Sequence, residues 1–154
     1  MTSLTITGPL LGQGAACAPI LRGLPHWFGI EEATRQYIRD INSMPTLLAW
    51  TDGRLAGFLT INQQTPFAAE IHVMGILPDL HRQGIGRALV AHTEALLRHK
   101  GLEFLQVKTL SPAHPDRHYA RTRRFYAAMG FRPLQEFRTL WGKENPCLQM
   151  VKRL

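Results

Sequence analysis

Residues 75–89 read GILPDLHRQGIGRAL, an apolar run that breaks at a proline turn into a glycine-flanked helix start. Gly84 and Gly86 lack a Cβ, so the backbone can curl tightly there and bring several N–H groups close to an anion. The first turn of the following helix adds unpaired amides and the positive end of its dipole. Arg82 and Arg87 can supply full positive charge. The stretch therefore predicts an anion-binding loop whose shape suits a diphosphate.

Two common phosphate-binding motifs do not match this loop. The P-loop requires Gly-x-x-x-x-Gly-Lys-Ser/Thr, and the lysine is missing. The dinucleotide fingerprint Gly-x-Gly-x-x-Gly needs a third small residue at position 89, where the chain has Leu89, and no βαβ unit opens the chain. The loop therefore belongs to neither class.

Length and composition lead us to expect one domain over residues 1–154. The hydrophobic content of 45% is enough for a single core. No apolar run approaches the roughly 18 residues of a membrane span, and the first basic residue is Arg22, so we expect no secretory leader. Cys17 and Cys147 lie far apart without metal-ligand spacing, which favours free thiols in a reducing compartment. We expect a cytoplasmic protein with neither a membrane partner nor a metal.

The net charge of +7 and the pI of about 10.1 raise the question of nucleic-acid binding. Basic residues are spread along the chain, and no RNA-binding signature or zinc-finger spacing accompanies them. One cluster stands out, at Arg117, Arg121, Arg123 and Arg124. A solvated helix face is its first interpretation, although a groove for a polyanionic cofactor would explain it too. We expect no nucleic-acid partner.

Hydrophobic periodicity predicts an α/β (α+β) fold. Strands are predicted at 4–8, 46–51, 55–61, 68–77, 102–110, near 132–141 and at 148–152. Helices are predicted in the N-terminal third including 31–41, from 85 to a close at Gly101, and at 117–129. Asp52-Gly53 predicts an antiparallel hairpin between the second and third strands. The order indicates a mixed, mostly antiparallel central sheet of about six or seven strands with helices on both faces.

Two segments resemble the GNAT superfamily of N-acetyltransferases. In that family a strand ending in Val-x-Pro precedes Gln/Arg-x-x-Gly-x-Gly/Ala, and here Ile76-Leu77-Pro78 precedes HRQGIG at 81–86. His81 departs from this pattern, while the glycines agree with it. FYAAMGF at 125–131 is similar to the family's Leu/Phe-Tyr-x-x-x-Gly-Phe at a helix end. The similarity covers roughly 47–151, and the first 45 residues carry no comparable pattern.

The resemblance implies an acetyl-CoA-dependent N-acetyltransferase that transfers acetyl directly to an amine, without a covalent enzyme intermediate. It implies acetyl-CoA as co-substrate, held by Met74, Gly75, Ile76, His81, Arg82, Gln83, Gly84, Ile85, Gly86, Arg87, Tyr119 and Tyr126. The strand residues among them would bond the pantetheine arm through their main chain. A glycine inside a strand also marks a bulge, a kink or a close approach that a ligand could fill. Relatives often carry an asparagine where this chain has Tyr119, so that contact stays open.

Acetyl transfer requires a neutral amine, stabilisation of charge on the carbonyl oxygen and a proton for the leaving thiolate. A phenol, whose pKa in water is about 10, can donate to a thiolate of similar basicity. The resemblance makes Tyr126 the candidate acid, where the residues alone would favour a packed core aromatic. Glu70 and His72 lie two apart on a predicted strand, so they share a face and are the candidate bases. Imidazole suits neutral pH better, but relatives that use a strand glutamate through water favour Glu70 slightly.

Two functions of other classes stay open at this point. A non-catalytic acyl-CoA-binding sensor would keep the loop without acetyl transfer, and a basic nucleic-acid-binding module is the less favoured alternative. The acceptor, a small-molecule amine or a peptide amine, would be recognised by the weakly patterned N-terminal third. A homodimer is possible, and no residue pattern argues for it.

Overall fold

The computed structural model describes residues 3–154, which form a seven-stranded mixed sheet and four α-helices. The strands are β1 (Leu4–Leu10), β2 (Thr46–Thr51), β3 (Arg54–Gln63), β4 (Ala68–Ile76), β5 (Phe104–Leu110), β6 (Arg132–Phe137) and β7 (Cys147–Arg153). The helices are α1 (Gly14–Arg22), α2 (Glu31–Ser43), α3 (Ile85–His99) and α4 (Arg117–Ala128). The strand order is β1-β2-β3-β4-β5-β7-β6, in which β4 and β5 pair parallel. The predicted mixed, mostly antiparallel sheet is confirmed.

The chain divides into two compact units. The first comprises Met1–Asn62 and His72–Leu96, and the second comprises Gln63–Ile71 and Leu97–Leu154. None of the helices formed by residues 3–154 is long and apolar enough to cross a membrane.

The first unit contains the predicted hairpin. Asp52 and Gly53 have φ values of 49° and 76°, the positive pair that a two-residue hairpin turn needs, and Thr51 pairs with Arg54 across it. At one edge of the sheet, β1 carries Pro9 and its pairing with β2 shifts between Thr7 and Leu10. The predicted hairpin is confirmed, and β1 lies at an edge of the sheet.

Helices α1 and α2 pack closely in the first unit. A Cβ on Gly14 would lie 2.5 Å from the carbonyl oxygen of Ile38, and the Gly14 amide donates to Asn42 Oδ1 at 2.8 Å. Pro19 lies inside α1, so this helix extends on both sides of a residue that cannot donate a helix hydrogen bond. The core beneath comprises Cys17, Ile20, Leu21, Leu24, Ile41, Leu48, Phe58 and Val73.

Gly75 explains how α1 can approach β4 so closely. A Cβ at this position would meet Leu24 Cδ1 at 3.1 Å, Ile20 Cγ2 at 3.2 Å and Phe58 Cε1 at 3.3 Å. The space that a side chain would need is therefore filled by apolar groups of the protein itself. The glycine leaves room for this core and does not leave a gap on that face.

The second unit is built from the start of β4 with β5, β7, β6 and α4. Ala68–Ile71 pairs parallel with Phe104–Val107, and β5 and β6 both pair antiparallel with β7. At the outer strand, β6 carries Pro133, and its register shifts between Pro133 and Gln135. Strand β6 ends at Phe137, earlier than the predicted end near Trp141, because a turn at 138–145 precedes β7.

Helix α3 buries one face against the protein. Ile85, Leu89 and Thr93 are buried on this face, and in the last turn Leu97 is buried more fully than Leu96. The face that turns inward therefore moves by one residue over the last turn of the helix, which ends at His99, two residues before Gly101.

Candidate active site

The predicted anion loop lies between a short turn at Pro78–Leu80 and α3. Arg82 and Gly84 have φ values of 63° and 81°, and positive φ at alternating residues is a feature of backbone nests that bind anions. A Cβ at position 84 would meet no atom within 4 Å. The positive φ, rather than crowding, is therefore the reason for a glycine there.

The amide groups of this loop point to no acceptor inside the described chain. Within residues 3–154, no carbonyl or side chain accepts a hydrogen bond from the amides of residues 82–87, and the first helix bond runs from Ala88 N to Gly84 O at 3.0 Å. Arg82 and Arg87 are exposed, and the loop itself carries no carboxylate. Free amides and two guanidinium groups therefore fit a diphosphate.

Side-chain contacts just before the loop help to hold it in place. His81 Nε2 donates to the carbonyl of Ile76 at 2.8 Å, and its ring meets the ring of Trp27 edge-on at 5.9 Å. Arg54 pairs with Asp79 at 2.8 Å, and its hydrogen bond holds the pKa of that carboxyl below the ordinary value. The residue that departs from the family pattern, His81, therefore ties the loop to the end of β4.

Strand β4 continues beyond its parallel ladder. The last parallel pair joins Ile71 to Val107, while the strand runs on to Ile76. Met74 and Ile76 are half-buried. The residues proposed from sequence to bond a pantetheine arm, 74–76, thus lie past the end of this ladder.

Glu70 is held by three donors inside the second unit. Its carboxylate accepts two hydrogen bonds from Lys108 Nζ, at 2.7 and 3.0 Å, and one each from Gln149 and Gln64 at 3.2 and 3.1 Å. Gln106 connects the two glutamines. Glu70 is only 5% exposed. Both carboxylate oxygens are engaged, so Glu70 is poorly placed to take a proton from a substrate.

His72 has a different environment, in the first unit. Its Nε2 lies 2.8 Å from Asp40 Oδ2, and its side chain and that of Asp40 are 22% and 23% exposed. The ring of Tyr37 meets the imidazole at 5.8 Å with an interplanar angle of 68°. An imidazole paired with a carboxylate through one nitrogen can use the other as a proton acceptor. The sequence pattern did not identify Asp40 and Tyr37 as candidate site residues. Their spacing of three residues on the predicted helix was the only indication that the two side chains lie near each other.

Tyr126 lies in the second unit, near the end of α4. It is 6% exposed, and its ring meets those of Phe125 and Phe131 edge-on at 5.4 and 5.6 Å. The Phe131 amide donates to the Tyr126 carbonyl at 3.0 Å. These contacts fix the position of the ring. Both phenylalanines lie in the segment 125–131, on which the choice of Tyr126 as candidate acid depends.

The start of α4 is fixed by a side-chain cap. Asp116 Oδ1 accepts from the amides of His118 and Tyr119 at 2.7 and 3.1 Å. Desolvation raises the pKa of Asp116, but these two hydrogen bonds, together with the nearby His118 and His114, outweigh it and leave the pKa below its ordinary value. Arg123 donates to the carbonyl of Leu110 at 2.6 Å, which ties α4 to β5. Tyr119 is half-buried, whereas the other arginines of the predicted basic cluster are exposed.

Both cysteines are buried and unsuited to nucleophilic catalysis. Burial raises the pKa of Cys17 to about 12 and that of Cys147 to about 11, so both thiols stay protonated at neutral pH. Among residues 3–154, no group of three or more His, Cys, Asp or Glu side chains is arranged to hold a metal ion.

Solved structures share this fold at low sequence identity. A GNAT-family protein from Desulfovibrio desulfuricans has a TM-score of 0.81 at 17% identity, over 98% of this chain and 99% of its own. An alanine N-acetyltransferase of a ribosomal protein from Escherichia coli has a TM-score of 0.77 at 18% identity, with coverages of 98% and 94%. The PaiA N-acetyltransferase from Thermoplasma acidophilum, solved in complex with coenzyme A, has a TM-score of 0.75 at 19% identity, over 99% of this chain and 99% of its own.

Family membership rests on the sequence as well. A search of curated protein sequences finds no significant match. The family model described as the acetyltransferase (GNAT) family matches residues 19–131, which include the anion loop, β4 and the whole of α4. The chain therefore belongs to the GNAT family of acetyltransferases.

Proposed function

We propose that the protein is an acetyl-CoA-dependent N-acetyltransferase that transfers acetyl directly to an amine. The observation that carries this proposal is the loop at 82–87, whose amides have no acceptor within residues 3–154 and whose arginines are exposed. Family membership supports acetyl transfer in general. The nitrogen acceptor is our inference from the resemblance and from the N-acetyltransferases that share the fold.

The residues assigned to the cofactor lie in two consecutive segments. The amides of 82–87, with Arg82 and Arg87, would hold the diphosphate. The main chain of Met74, Gly75 and Ile76 would bond the pantetheine arm, because these residues lie past the last parallel pair of β4. When bound, acetyl-CoA supplies the acyl group as an activated thioester.

We assign the base to His72 and keep Glu70 as a structural residue. Both carboxylate oxygens of Glu70 accept hydrogen bonds from Lys108 and two glutamine amides. His72 has only one ring nitrogen paired, with Asp40, and this pair is partly exposed. His72 takes a proton from the acceptor nitrogen, which forms a bond to the acyl carbon as the carbon–sulfur bond breaks. Tyr126 then donates its phenolic proton to the departing sulfur. The support for Tyr126 is its place in the family motif.

Three further inferences concern the domain organisation, the cellular compartment and the acceptor. We infer that the two compact units act as one GNAT-like domain over residues 1–154, because the family model spans parts of both. We also infer a reducing compartment such as the cytoplasm, since both thiols are buried and unpaired with each other. A small-molecule amine or a peptide amine is the proposed acceptor.

Calorimetry with acetyl-CoA tests whether the protein binds the proposed co-substrate. Desulfo-CoA and ADP serve as controls, and the titration is repeated at more than one salt concentration. We expect micromolar binding of acetyl-CoA, followed by release of free thiol in a screen of amines, amino acids and peptides. A folded protein that binds no acetyl-CoA would contradict the cofactor assignment. Binding without thiol release for any amine would instead support an acyl-CoA sensor.

A pair of variants tests the choice of base. His72→Gln should lower kcat by about 10² to 10⁴-fold, the usual contribution of a general base, with little change in the Kd of acetyl-CoA. Glu70→Gln should keep most of the turnover at a temperature where circular dichroism shows it folded. The reverse result would return the role of base to Glu70.

A further inference from the structure

Helix α2 carries a chain of hydrogen bonds that ends at His72. Arg39 donates to Gln36 Oε1 at 2.7 Å, and Gln36 Nε2 donates to Asp40 Oδ1 at 2.8 Å. The second oxygen of Asp40 lies 2.8 Å from His72 Nε2. All four residues belong to the first unit. The carboxylate of Asp40 thus has a separate partner for each of its oxygens.

The direction of donation along this chain is fixed by chemistry. The guanidinium of Arg39 can only donate, so it must meet the carbonyl oxygen of the Gln36 amide, and the NH₂ of Gln36 then faces Asp40. An ionised carboxylate can only accept, so His72 Nε2 must carry a hydrogen. In a neutral imidazole the other nitrogen, Nδ1, is then left with a lone pair.

The helix brings these side chains close together. Residues 36, 39 and 40 are three and four apart, which places them on neighbouring positions of one helix surface. Tyr37, one residue after Gln36, meets the His72 ring edge-on at 5.8 Å. His72 and Asp40 are each less than a quarter exposed, so their hydrogen bond is partly shielded from water.

We propose that Asp40 is a positioning residue that fixes the Nε2–H tautomer of His72 and presents Nδ1 as the atom that accepts the proton of the acceptor amine. Gln36 and Arg39 hold Asp40 in turn. This inference rests on the proposed function for its catalytic consequence, but the tautomer of His72 is a property of the free protein.

The tautomer can be measured on the full chain labelled with ¹⁵N-histidine. Long-range ¹H–¹⁵N correlation spectra identify which ring nitrogen carries the hydrogen, and the His72 signals are assigned by their loss in His72→Gln. We expect the Nε2–H form in the native protein. Asp40→Asn should mix the two forms, because an amide can turn either its oxygen or its NH₂ toward Nε2.

Kinetics supply the second measurement. Asp40→Asn should lower kcat by about 10²-fold, the low end of what a general base contributes, without changing the Kd of acetyl-CoA. Glu32→Gln is the matched control, because Glu32 is an exposed carboxylate in the first turn of the same helix. This control should keep the native tautomer and turnover.

Each result has a defined meaning. An Nδ1–H tautomer of His72 in the native protein, or an unchanged tautomer in Asp40→Asn together with native turnover, would overturn the proposal. Failure of every amine to be acetylated would count against the proposed function, while the NMR result would still decide the role of Asp40.

Discussion

Lys108→Met removes the cation from a buried carboxylate in the second unit. Glu70 is 5% exposed, and the Lys108 side chain is 29% exposed. Removing one partner of a buried ion pair costs about 3 to 5 kcal/mol, because the other charge is left uncompensated. Two amide donors, from Gln149 and Gln64, stay on Glu70 in the variant, and Lys108 is itself partly solvated. We therefore expect the free energy of unfolding to fall by about 2 to 3 kcal/mol.

Urea denaturation monitored by circular dichroism measures this loss. Met keeps much of the volume of the lysine stem, so the variant tests the charge rather than a cavity. The double variant Glu70→Gln, Lys108→Met removes both charges and should unfold within about 1 kcal/mol of the native protein. Arg54→Met, which removes one partner of an exposed ion pair, should give no measurable change in the free energy of unfolding.

Two outcomes would contradict this prediction. A loss below about 0.5 kcal/mol in Lys108→Met, the usual size of a surface change, would mean that Lys108 does not neutralise Glu70. A double variant as unstable as the single one would mean that packing, rather than charge, explains the loss.

Three further predictions concern the loop, the acid and a buried thiol. Tyr126→Phe should lower kcat by about 10²-fold with an unchanged Kd for acetyl-CoA, and native turnover would remove Tyr126 from the acid role. Gly86→Glu should abolish acetyl-CoA binding in calorimetry through crowding and like charge, whereas Gly86→Ala should weaken it less. Burial raises the pKa of Cys17 from 9.0 to about 12, so the folded protein keeps a proton that the unfolded chain loses. Above pH 9 this thiol should therefore lower the stability by about 1.4 kcal/mol per pH unit, and Cys147, whose pKa is raised to about 11, should add a similar slope up to that pH. In urea denaturation the pH slope of Cys17→Ala should accordingly be shallower than that of the native protein by about 1.4 kcal/mol per pH unit.

Local patterns predicted most of the fold because they act within a few residues. Asp52-Gly53 needs only positive φ to form its turn, and the loop at 81–86 needs only its glycines and the helix that follows. The length of α1 was harder to predict, because Pro19 signals a break while packing against α2 keeps the helix intact.

The surroundings of the two candidate bases could not be predicted from sequence. Asp40 is 32 residues from His72, and Lys108 is 38 residues from Glu70, so each pairing is made by the tertiary fold. Both candidates were visible as polar residues on a predicted strand. Only their partners distinguish a carboxylate with both oxygens hydrogen-bonded from an oriented imidazole, and no pattern next to Glu70 or His72 in the sequence identifies those partners.

The prolines and register shifts of the two outer strands bear on how the protein behaves at high concentration. An outer strand offers a row of unpaired N–H and C=O groups on which another chain can add a strand. Pro9 in β1 removes one donor from that row, and the irregularity between Thr7 and Leu10 disturbs its spacing. Pro133 does the same in β6, where Leu134 is 60% exposed. Each outer strand thus carries a proline and an irregular register, features that oppose the addition of a strand from another chain, and in β6 they lie beside the exposed leucine.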